Sequence, residues 1–274
     1  MNKIVLSSNN INYQLDDKII YEFKNELINK LNLKILKNTE LEINVENDSE
    51  TKLDLQIEIE DDVSLKLVEI KKGSKTKILS KYNLGFNSKL SITKINDIEA
   101  INERNIVNLN GVGAKVELVL KTVSNNTEKY DVIVNHNNYK TESDITSNGV
   151  NLNGKLYFNI NTHILKNMKK CIANQNNRII NLTDNECAIR PNLLIDEEDV
   201  IANHSALIGS FKDEEIFYMQ RLGINKDEAV KLLMEGFIKN KISSKLADIY
   251  KKYWRWFYES WRFYDIKWYY SLFR

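Results

Sequence analysis

Histidine and cysteine are the side chains of this sequence best suited to bind a metal, and it contains three histidines and two cysteines. His204 lies in the extended stretch Val200-Ile-Ala-Asn-His204-Ser-Ala. An imidazole can bind iron or zinc through one ring nitrogen while a carbonyl or carboxylate holds the other. The alternative for His204 is a structural histidine at a strand end, hydrogen-bonded to a turn.

The other histidines and the cysteines give weaker signals. His136 and His163 lie in extended segments rich in Asn and Lys, which favours solvent-facing structural roles for both. Cys171 and Cys187 lack CxxC spacing, and a free cysteine is most often an ordinary buried thiol. We therefore expect no self-contained zinc or cluster site in this chain, and no disulfide framework.

The sequence contains no motif of a nucleotide-binding or hydrolytic site, because GxxxxGK[ST], GxSxG and HExxH are all absent. Gly111-Val-Gly113 lacks the third glycine of a dinucleotide site and is interpreted as a turn. The acidic run Asp196–Asp199 lacks EF-hand spacing and is interpreted as a solvated turn. An enzyme is the weaker interpretation, although carboxylate pairs on a β-solenoid would suit a carbohydrate-active protein.

The elements that position these residues are predicted to be strands. Apolar and polar residues alternate with period two from Leu33 to about Leu194, and no helical periodicity interrupts them. Examples are Leu53, Leu55, Ile57 and Ile59, then Val116, Leu118 and Leu120, then Leu156, Phe158 and Ile160. The pattern alone leaves a sandwich, a barrel and a β-solenoid open, while the few Asn-Gly dipeptides weaken the options built from hairpins.

The two ends of the chain differ from this region. Residues 1–32 are interpreted as a lead-in, with a short helix over residues 17–32 as one option. Residues 211–222, 226–240 and about 243–270 are predicted helices, and Gly223 and Asn225 are placed as a C-terminal and an N-terminal cap.

The last of these segments is rich in aromatic residues and contains all four tryptophans. It suits a partner-binding helix, an interfacial membrane helix, or a helix that packs on the end of the protein's own solenoid.

The overall composition is nearly neutral. The chain has 39 basic and 38 acidic side chains, so no global field favours nucleic acid. The N-terminal apolar run is too short for a signal peptide, and no run of about 18 apolar residues predicts a membrane span. A cytoplasmic location is expected.

The stretch from Pro191 to Phe237 resembles the C-terminal signature of the SufB/SufD family, which are scaffold proteins of iron–sulfur cluster assembly. The matching positions are Pro191, Leu193, Ile195, Asp199-Val200, His204-Ser-Ala206, Gly209, Glu214-Glu215, Phe217-Tyr218, Arg221-Leu-Gly223-Ile224 and Phe237. Two departures from the pattern are Ser205, where glycine is usual, and Leu222, which is inserted before Gly223.

This resemblance implies a fold and a division of the chain. It implies a right-handed parallel β-helix over residues 33–209, a helical region over residues 210–242 that docks a SufC-like ATPase, and an aromatic-rich helical tail over residues 243–274. No cofactor would be held tightly by this chain alone. A transient iron–sulfur cluster would form at the interface with a SufB-like partner.

The resemblance also implies roles for individual residues. His204 becomes a candidate cluster-assembly residue and metal ligand at the partner interface. The candidate partner-binding residues are Phe217, Tyr218, Arg221 and Phe237.

SufB-type members follow the motif histidine with glutamate and carry a cysteine several residues before the motif proline. Here Ser205 follows His204, and Asn174–Leu182 contains no cysteine. The chain is therefore closest to SufD, a non-catalytic scaffold whose ATPase activity would reside in a SufC-like ABC-type partner. A homodimeric single scaffold remains open within this interpretation. The alternative outside it is a stand-alone β-solenoid that acts on or binds carbohydrate.

Overall fold

The computed structural model describes residues 2–7, 11–24 and 28–240 of the chain. Within these residues, seventeen strands form two sheets and are followed by two helices. The first sheet contains β1 (Asn2–Ser7), β2 (Ile11–Gln14), β5 (Thr39–Asn47), β7 (Ser64–Gly73), β9 (Lys89–Ile98), β11 (Lys115–Ser124), β13 (Glu142–Asn151), β15 (Cys171–Asn181) and β17 (Val200–Gly209). The second contains β3 (Ile19–Lys24), β4 (Asn29–Ile35), β6 (Thr51–Ile59), β8 (Thr76–Leu84), β10 (Ile101–Leu109), β12 (Thr127–His136), β14 (Lys155–Ile164) and β16 (Cys187–Ile195).

Successive strands from β4 onward alternate between the two sheets, so each pair of strands makes one turn of a parallel β-solenoid. The sheet order is β17-β15-β13-β11-β9-β7-β5-β1-β2 in one and β16-β14-β12-β10-β8-β6-β4-β3 in the other. The solenoid has about seven turns, which confirms the predicted mainly β fold. The hairpin partners β2 and β3 pair antiparallel with β1 and β4 at the N-terminal end.

Alternate side chains of each strand face the solenoid interior and stack on the same position of the next turn. Strand geometry makes this inevitable, because successive side chains point to opposite faces of a sheet. One interior row passes through five strands of the second sheet, and its members are almost completely buried: Leu33, Ile57, Tyr82, Val107 and Val134. The core is therefore continuous along the solenoid.

The N-terminal segment differs from the prediction of a short helix over residues 17–32. In the described part of that range, β3 and the start of β4 are strands. The cause is visible in the pattern, since Ile19, Tyr21 and Phe23 recur with period two. These residues extend the second sheet by an antiparallel hairpin.

Two corners of the solenoid depend on glycine because neighbouring turns come close there. A Cβ at Gly111 would lie 2.1 Å from the backbone nitrogen of Phe86, and one at Gly154 would lie 1.9 Å from the carbonyl oxygen of Asn126. Two of the three Asn-Gly dipeptides of the sequence thus mark close approaches between turns.

The chain divides into two compact units, Met1–Glu215 and Ile216–Arg274. All the described strands lie in the first unit, and the described helices are α1 (Asp213–Arg221) and α2 (Lys226–Lys239). A Schellman motif caps the C-terminus of α1: Gly223 has a φ of +84°, and the N–H groups of Gly223 and Ile224 donate to the carbonyls of Gln220 and Met219. Asn225 caps α2, since its Oδ1 accepts from the Glu228 N–H at 2.9 Å. The helix predicted over residues 243–270 lies outside the described residues.

Candidate functional site

The last turn of the solenoid, formed by β16 and β17, is the part of the described structure with unpaired strand edges near the predicted site. Among the described residues, β16 pairs with β14 alone and β17 with β15 alone. Their outer edges therefore present backbone N–H and C=O groups that a partner strand can use. The edge is also apolar in places, because Leu194, Ile201 and Leu207 are exposed.

His204 belongs to an interior row of the first sheet. It is in register with Gln175 of β15, which is in register with Ile145 of β13. The row continues through the buried side chains Leu118, Ile92 and Leu67. His204 is exposed all the same, since it lies on the last turn. The row thus changes from apolar to polar over its final two positions.

Gln175 ties the penultimate turn to the last one. It is buried, and its Nε2 donates to the Thr162 Oγ1 at 2.9 Å and to the Asn192 carbonyl at 3.1 Å. Asn192 lies on β16, so the amide crosses the interior from one sheet to the other. The hydrogen bond to Asn192 therefore holds β16, the strand opposite His204, in place.

Asparagine ladders on the outer faces also end at this turn. The Nδ2 of Asn192 donates to Asn161 at 2.9 Å, and the Nδ2 of Asn203 donates to Asn174 at 3.2 Å. The Ser205 hydroxyl lies 3.1 Å from the Asn176 Oδ1. Ser205 consequently faces outward, while its neighbour His204 faces the interior row.

The predicted partner-binding residues lie on the two helices. Phe217 and Tyr218 of α1 are 61% and 65% exposed, and Arg221 is exposed one turn later. None of the residues of α1 is buried. Phe237 of α2 is half-buried. The two exposed aromatic rings give α1 an apolar surface of the kind that partner helices cover.

The structure does not bring the cysteines to His204. Cys171 is in register with Val200, four residues along β17 from His204, which corresponds to about 13 Å at the rise of a strand. Cys187 starts β16 and is half-buried, and burial raises the pKa of its thiol. Residues 2–7, 11–24 and 28–240 contain no group of three or more His, Cys, Asp or Glu side chains able to hold a metal ion.

The solvent-facing role expected for His136 is wrong. His136 is completely buried, with Nδ1 2.7 Å from the Thr141 hydroxyl and Nε2 3.0 Å from the Ser143 hydroxyl. Burial lowers the pKa of its imidazole from 6.5 to about 4. His136 is the last inward-facing residue of β12, whereas the polar residues that follow it belong to the loop after the strand. This explains the error. His163 faces outward and is half-buried.

Sequence reasoning also missed a charged cluster inside the solenoid. Lys94 Nζ lies 2.6 Å from Glu69 and 2.8 Å from Glu103, and Lys71 Nζ lies 3.0 Å and 3.1 Å from the same two carboxylates. The Tyr82 hydroxyl donates to Glu69 at 2.5 Å. The alternation of β7 could have predicted this cluster, because its inward-facing positions Leu65 and Leu67 are followed at the same spacing by Glu69 and Lys71.

Opposite charges keep this cluster ionised. Burial alone would raise the pKa of Glu69, but the ammonium groups of Lys94 and Lys71 outweigh it and lower the pKa to about 2. The same competition lowers the pKa of Glu103 and raises that of Lys94. Burial, with the neighbouring Glu69 carboxylate, raises the pKa of Tyr82, so its phenol stays protonated.

Within the described residues, fold and site together define a class of protein: a parallel β-solenoid whose last turn exposes a histidine and two strand edges without a partner strand, followed by two helices. The sequence matches the family described as "SUF system FeS cluster assembly, SufBD core domain" over residues 28–237. This chain therefore belongs to the SufBD core family, and the predicted family is confirmed.

Two curated proteins show similarity to the chain. It is 31% identical over 148 residues to the iron–sulfur cluster assembly protein SufD of Bacillus subtilis (strain 168), and the alignment covers 53% of this chain and 34% of that protein. It is 40% identical over 58 residues to an iron–sulfur cluster assembly SufBD family protein of Mycobacterium leprae (strain TN), with 21% and 14% covered. The alignments thus span about a third or less of these relatives.

The helices of the described residues are too short or too polar to cross a membrane. The aromatic segment for which a membrane contact was considered lies outside those residues.

Proposed function

We propose that this chain is a SufD-like, non-catalytic scaffold subunit that assembles iron–sulfur clusters in the cytoplasm with a SufB-like subunit and a SufC-like ATPase. Membership of the SufBD core family is the observation that carries the proposal. The similarity to a SufD protein supports the choice within the family. The last turn of the solenoid and helix α1 supply surfaces for the two partners.

The SufB-like subunit would pair with the free edges of β16 and β17. Edge strands with unpaired backbone groups and exposed apolar side chains are suited to pairing with another chain. Leu194, Ile201 and Leu207 supply the apolar component at this edge. In such a pairing, His204 would be covered by the partner.

His204 would contribute one ligand to the nascent cluster, which is the cargo of the complex. Its exposed imidazole provides a nitrogen donor at the end of the solenoid. The remaining ligands would come from the partner, since Cys171 lies about 13 Å along the sheet from His204. ATP hydrolysis would belong to the SufC-like protein, which would dock on Phe217, Tyr218, Arg221 and Phe237.

Co-purification with the SufC-like and SufB-like proteins of the same source tests the proposal. We expect a stable complex that stimulates the ATPase activity of the SufC-like protein. Replacing Phe217 and Tyr218 with alanine should weaken SufC-like binding at least tenfold, whereas Gln220→Ala, on the same helix and exposed, should leave it unchanged. Failure of the wild-type chain to bind either protein would overturn the partner assignment.

The role of His204 is tested in the purified complex by cluster reconstitution. His204→Ala should abolish or strongly reduce the absorbance of the assembled cluster without dissociating the complex. His163→Ala is the matched control, because His163 lies on the outer face of β14. Equal cluster yields from the two variants would remove His204 from the site.

A further inference from the structure

The outer face of the second sheet carries an excess of positive charge. Of the side chains that its parallel strands β4, β6, β8, β10, β12, β14 and β16 direct outward, nine are cationic: Lys30, Lys34, Lys52, Lys77, Lys81, Arg104, Lys129, Lys155 and Arg190. Three are carboxylates: Asp54, Glu58 and Asp131. On the odd-numbered strands β5 to β17 of the first sheet, the described outward side chains include six cations and six carboxylates. We call the nine cations the basic face, a local excess on a chain whose net charge is +1.

Most cations of the basic face have no ion pair within the described residues. Lys52, Lys77 and Lys129 are exposed and share one row across the strands, with Lys129 two strands beyond Lys77. Within the described part of the chain, none of these three lysines pairs with a carboxylate. Two ion pairs involve other members of the face: Lys34 with Glu60 at 2.6 Å, and Arg104 with Asp131 at 3.7 Å. Uncompensated ammonium groups in one row attract an anion-rich partner.

The basic face is broad in both directions. Seven strands at about 4.8 Å extend it over about 29 Å along the solenoid, and nine-residue strands such as Thr51–Ile59 give it a width of about 26 Å. Its cations are spread over that width, since Lys77 and Lys81 lie in different halves of one strand. A planar anionic surface can therefore approach all of them together.

The same arrangement suits a nucleic acid strand less well. A single strand follows one track of cations and stacks its bases on aromatic rings. The one aromatic side chain that these seven strands direct outward is Tyr157, and the Lys129 ammonium already lies 5.6 Å from the centre of its ring. The basic face thus offers charge without free stacking surfaces.

Exposed apolar side chains border the basic face. Phe86, Tyr139 and Leu165 follow β8, β12 and β14, and they are 50%, 46% and 52% exposed. Backbone hydrogen bonds join neighbouring corners, for example from the Gly113 N–H to the Tyr139 carbonyl, so the three residues lie along one border. Acidic corners limit this border at both ends: Asp61 and Asp62, and Asp196–Asp199. Aromatic and aliphatic side chains beside lysines are typical of surfaces that rest on membranes.

We propose that the basic face binds the surface of an anionic lipid membrane, with Phe86, Tyr139 and Leu165 at the level of the headgroups. Each lysine near such a surface raises the affinity about fivefold. The contact is peripheral, because the solenoid lies on the surface and its strands do not enter the bilayer. This inference goes beyond the scaffold function and does not depend on it.

Co-sedimentation of the full chain with lipid vesicles tests the proposal. We expect binding to vesicles made of equal parts of phosphatidylcholine and phosphatidylserine, and none to vesicles of phosphatidylcholine alone. Raising the NaCl concentration from about 0.05 M to about 0.5 M should weaken binding about tenfold, because salt screens the attraction. Absence of binding to the anionic vesicles, or equal binding to both kinds, would overturn the proposal.

A triple variant with Lys52→Gln, Lys77→Gln and Lys129→Gln locates the contact on the protein. It should bind anionic vesicles about tenfold more weakly than the wild-type chain, because three charges of the face are lost. Its Tm should stay at the wild-type value, since the three ammonium groups are exposed and form no ion pair.

The matched control carries Lys66→Gln, Lys89→Gln and Lys115→Gln. It removes the same charge from exposed residues on the outer face of the first sheet and should weaken binding by no more than about threefold. Both variants keep residues 241–274, so the aromatic segment contributes equally to each. Equal losses in the two variants would show that net charge alone attracts the membrane and would overturn the assignment of the basic face.

Two further measurements test the border and the competing ligand. The double variant Phe86→Ser and Tyr139→Ser should bind anionic vesicles more weakly with an unchanged salt dependence, and unchanged binding would remove the border from the contact. Oligo(dT), added at the same phosphate concentration as the anionic lipid, should leave the chain on the vesicles. Its release into solution would assign the basic face to nucleic acid instead.

Discussion

Lys94 is a charged residue whose buried environment predicts a large contribution to the stability of the folded state. Its ammonium group is fully buried between Glu69 and Glu103. Taking charges out of water is costly, and the cost is offset only while each carboxylate keeps its partner. Replacing the whole cluster with apolar residues would be tolerated far better than removing one member.

Lys94→Met should therefore destabilise the protein by about 3–5 kcal/mol, because it leaves buried carboxylates uncompensated. Lys66→Met is the matched control, since Lys66 makes an ion pair with Glu40 at 3.0 Å at the surface. That exposed pair should be worth less than about 1 kcal/mol. Urea unfolding of both variants measures the difference, and similar losses would contradict the view that burial sets the energy of these pairs.

His136 makes stability depend on pH. Its imidazole has a pKa of about 4 in the folded protein because it is buried, compared with 6.5 when exposed. Between these values the unfolded chain binds a proton that the folded chain does not, so stability falls as the pH drops from 6.5 towards 4. The full effect is about 3 kcal/mol.

The urea midpoint of the wild-type protein should therefore fall more steeply between pH 7 and pH 4.5 than that of His136→Asn. The asparagine keeps hydrogen-bonding capacity towards Thr141 and Ser143 but does not titrate. Comparing the two slopes separates the contribution of His136 to the pH dependence of stability from that of the carboxylates, which titrate in both proteins. Parallel slopes would show that His136 accepts a proton in the folded state.

The corners between strands limit how closely the turns of the solenoid can stack. Gly154 lies against the Asn126 backbone, so a methyl group there would push neighbouring turns apart. Gly209, at the end of β17, has no atom within 4 Å of an added Cβ.

Gly154→Ala should accordingly cost about 1–3 kcal/mol, as overpacking does elsewhere. Gly209→Ala should change the free energy of unfolding by less than about 0.5 kcal/mol. Thermal unfolding of both variants measures the two effects. Equal Tm values would mean that the corner at Gly154 can open without cost.

At the scale of the whole molecule, the two ends of the solenoid differ. At the N-terminal end, β2 and β3 complete the sheets as antiparallel hairpins. At the other end, the described strands β16 and β17 stop the sheets without such a hairpin. Both ends leave unpaired outer edges among the described strands, and the last turn differs in carrying His204 beside them.

Ile201→Lys tests whether the partner proposed above binds at the end that carries His204. Ile201 is 59% exposed on β17, and a lysine on an edge strand opposes pairing with another strand. The variant should then lose the SufB-like subunit proposed as its partner, as measured by size-exclusion chromatography. Ile20→Lys, at a residue 56% exposed on β3, should retain it. Loss of the partner in the β3 variant alone would place the interface at the N-terminal end.

Much of the local structure could be predicted from the sequence. The period-two pattern of segments such as residues 53–59 specifies which side chains face inward, because the alternation of a strand leaves no other choice. Asn225 and Gly223 identified the caps of the helices. The spacing of the motif around His204 indicated the family, which the match over residues 28–237 confirms.

The sequence did not predict which residues the stacked turns bring together, and only the tertiary structure shows this. Glu69 and Glu103 are far apart in the sequence, yet the solenoid places both beside Lys94. His136 and His204 both occupy interior rows, but one is buried and the other exposed. The alternation in a strand fixes the face on which a side chain lies. Burial requires a further turn to cover that face, and no local pattern specifies where the last turn falls.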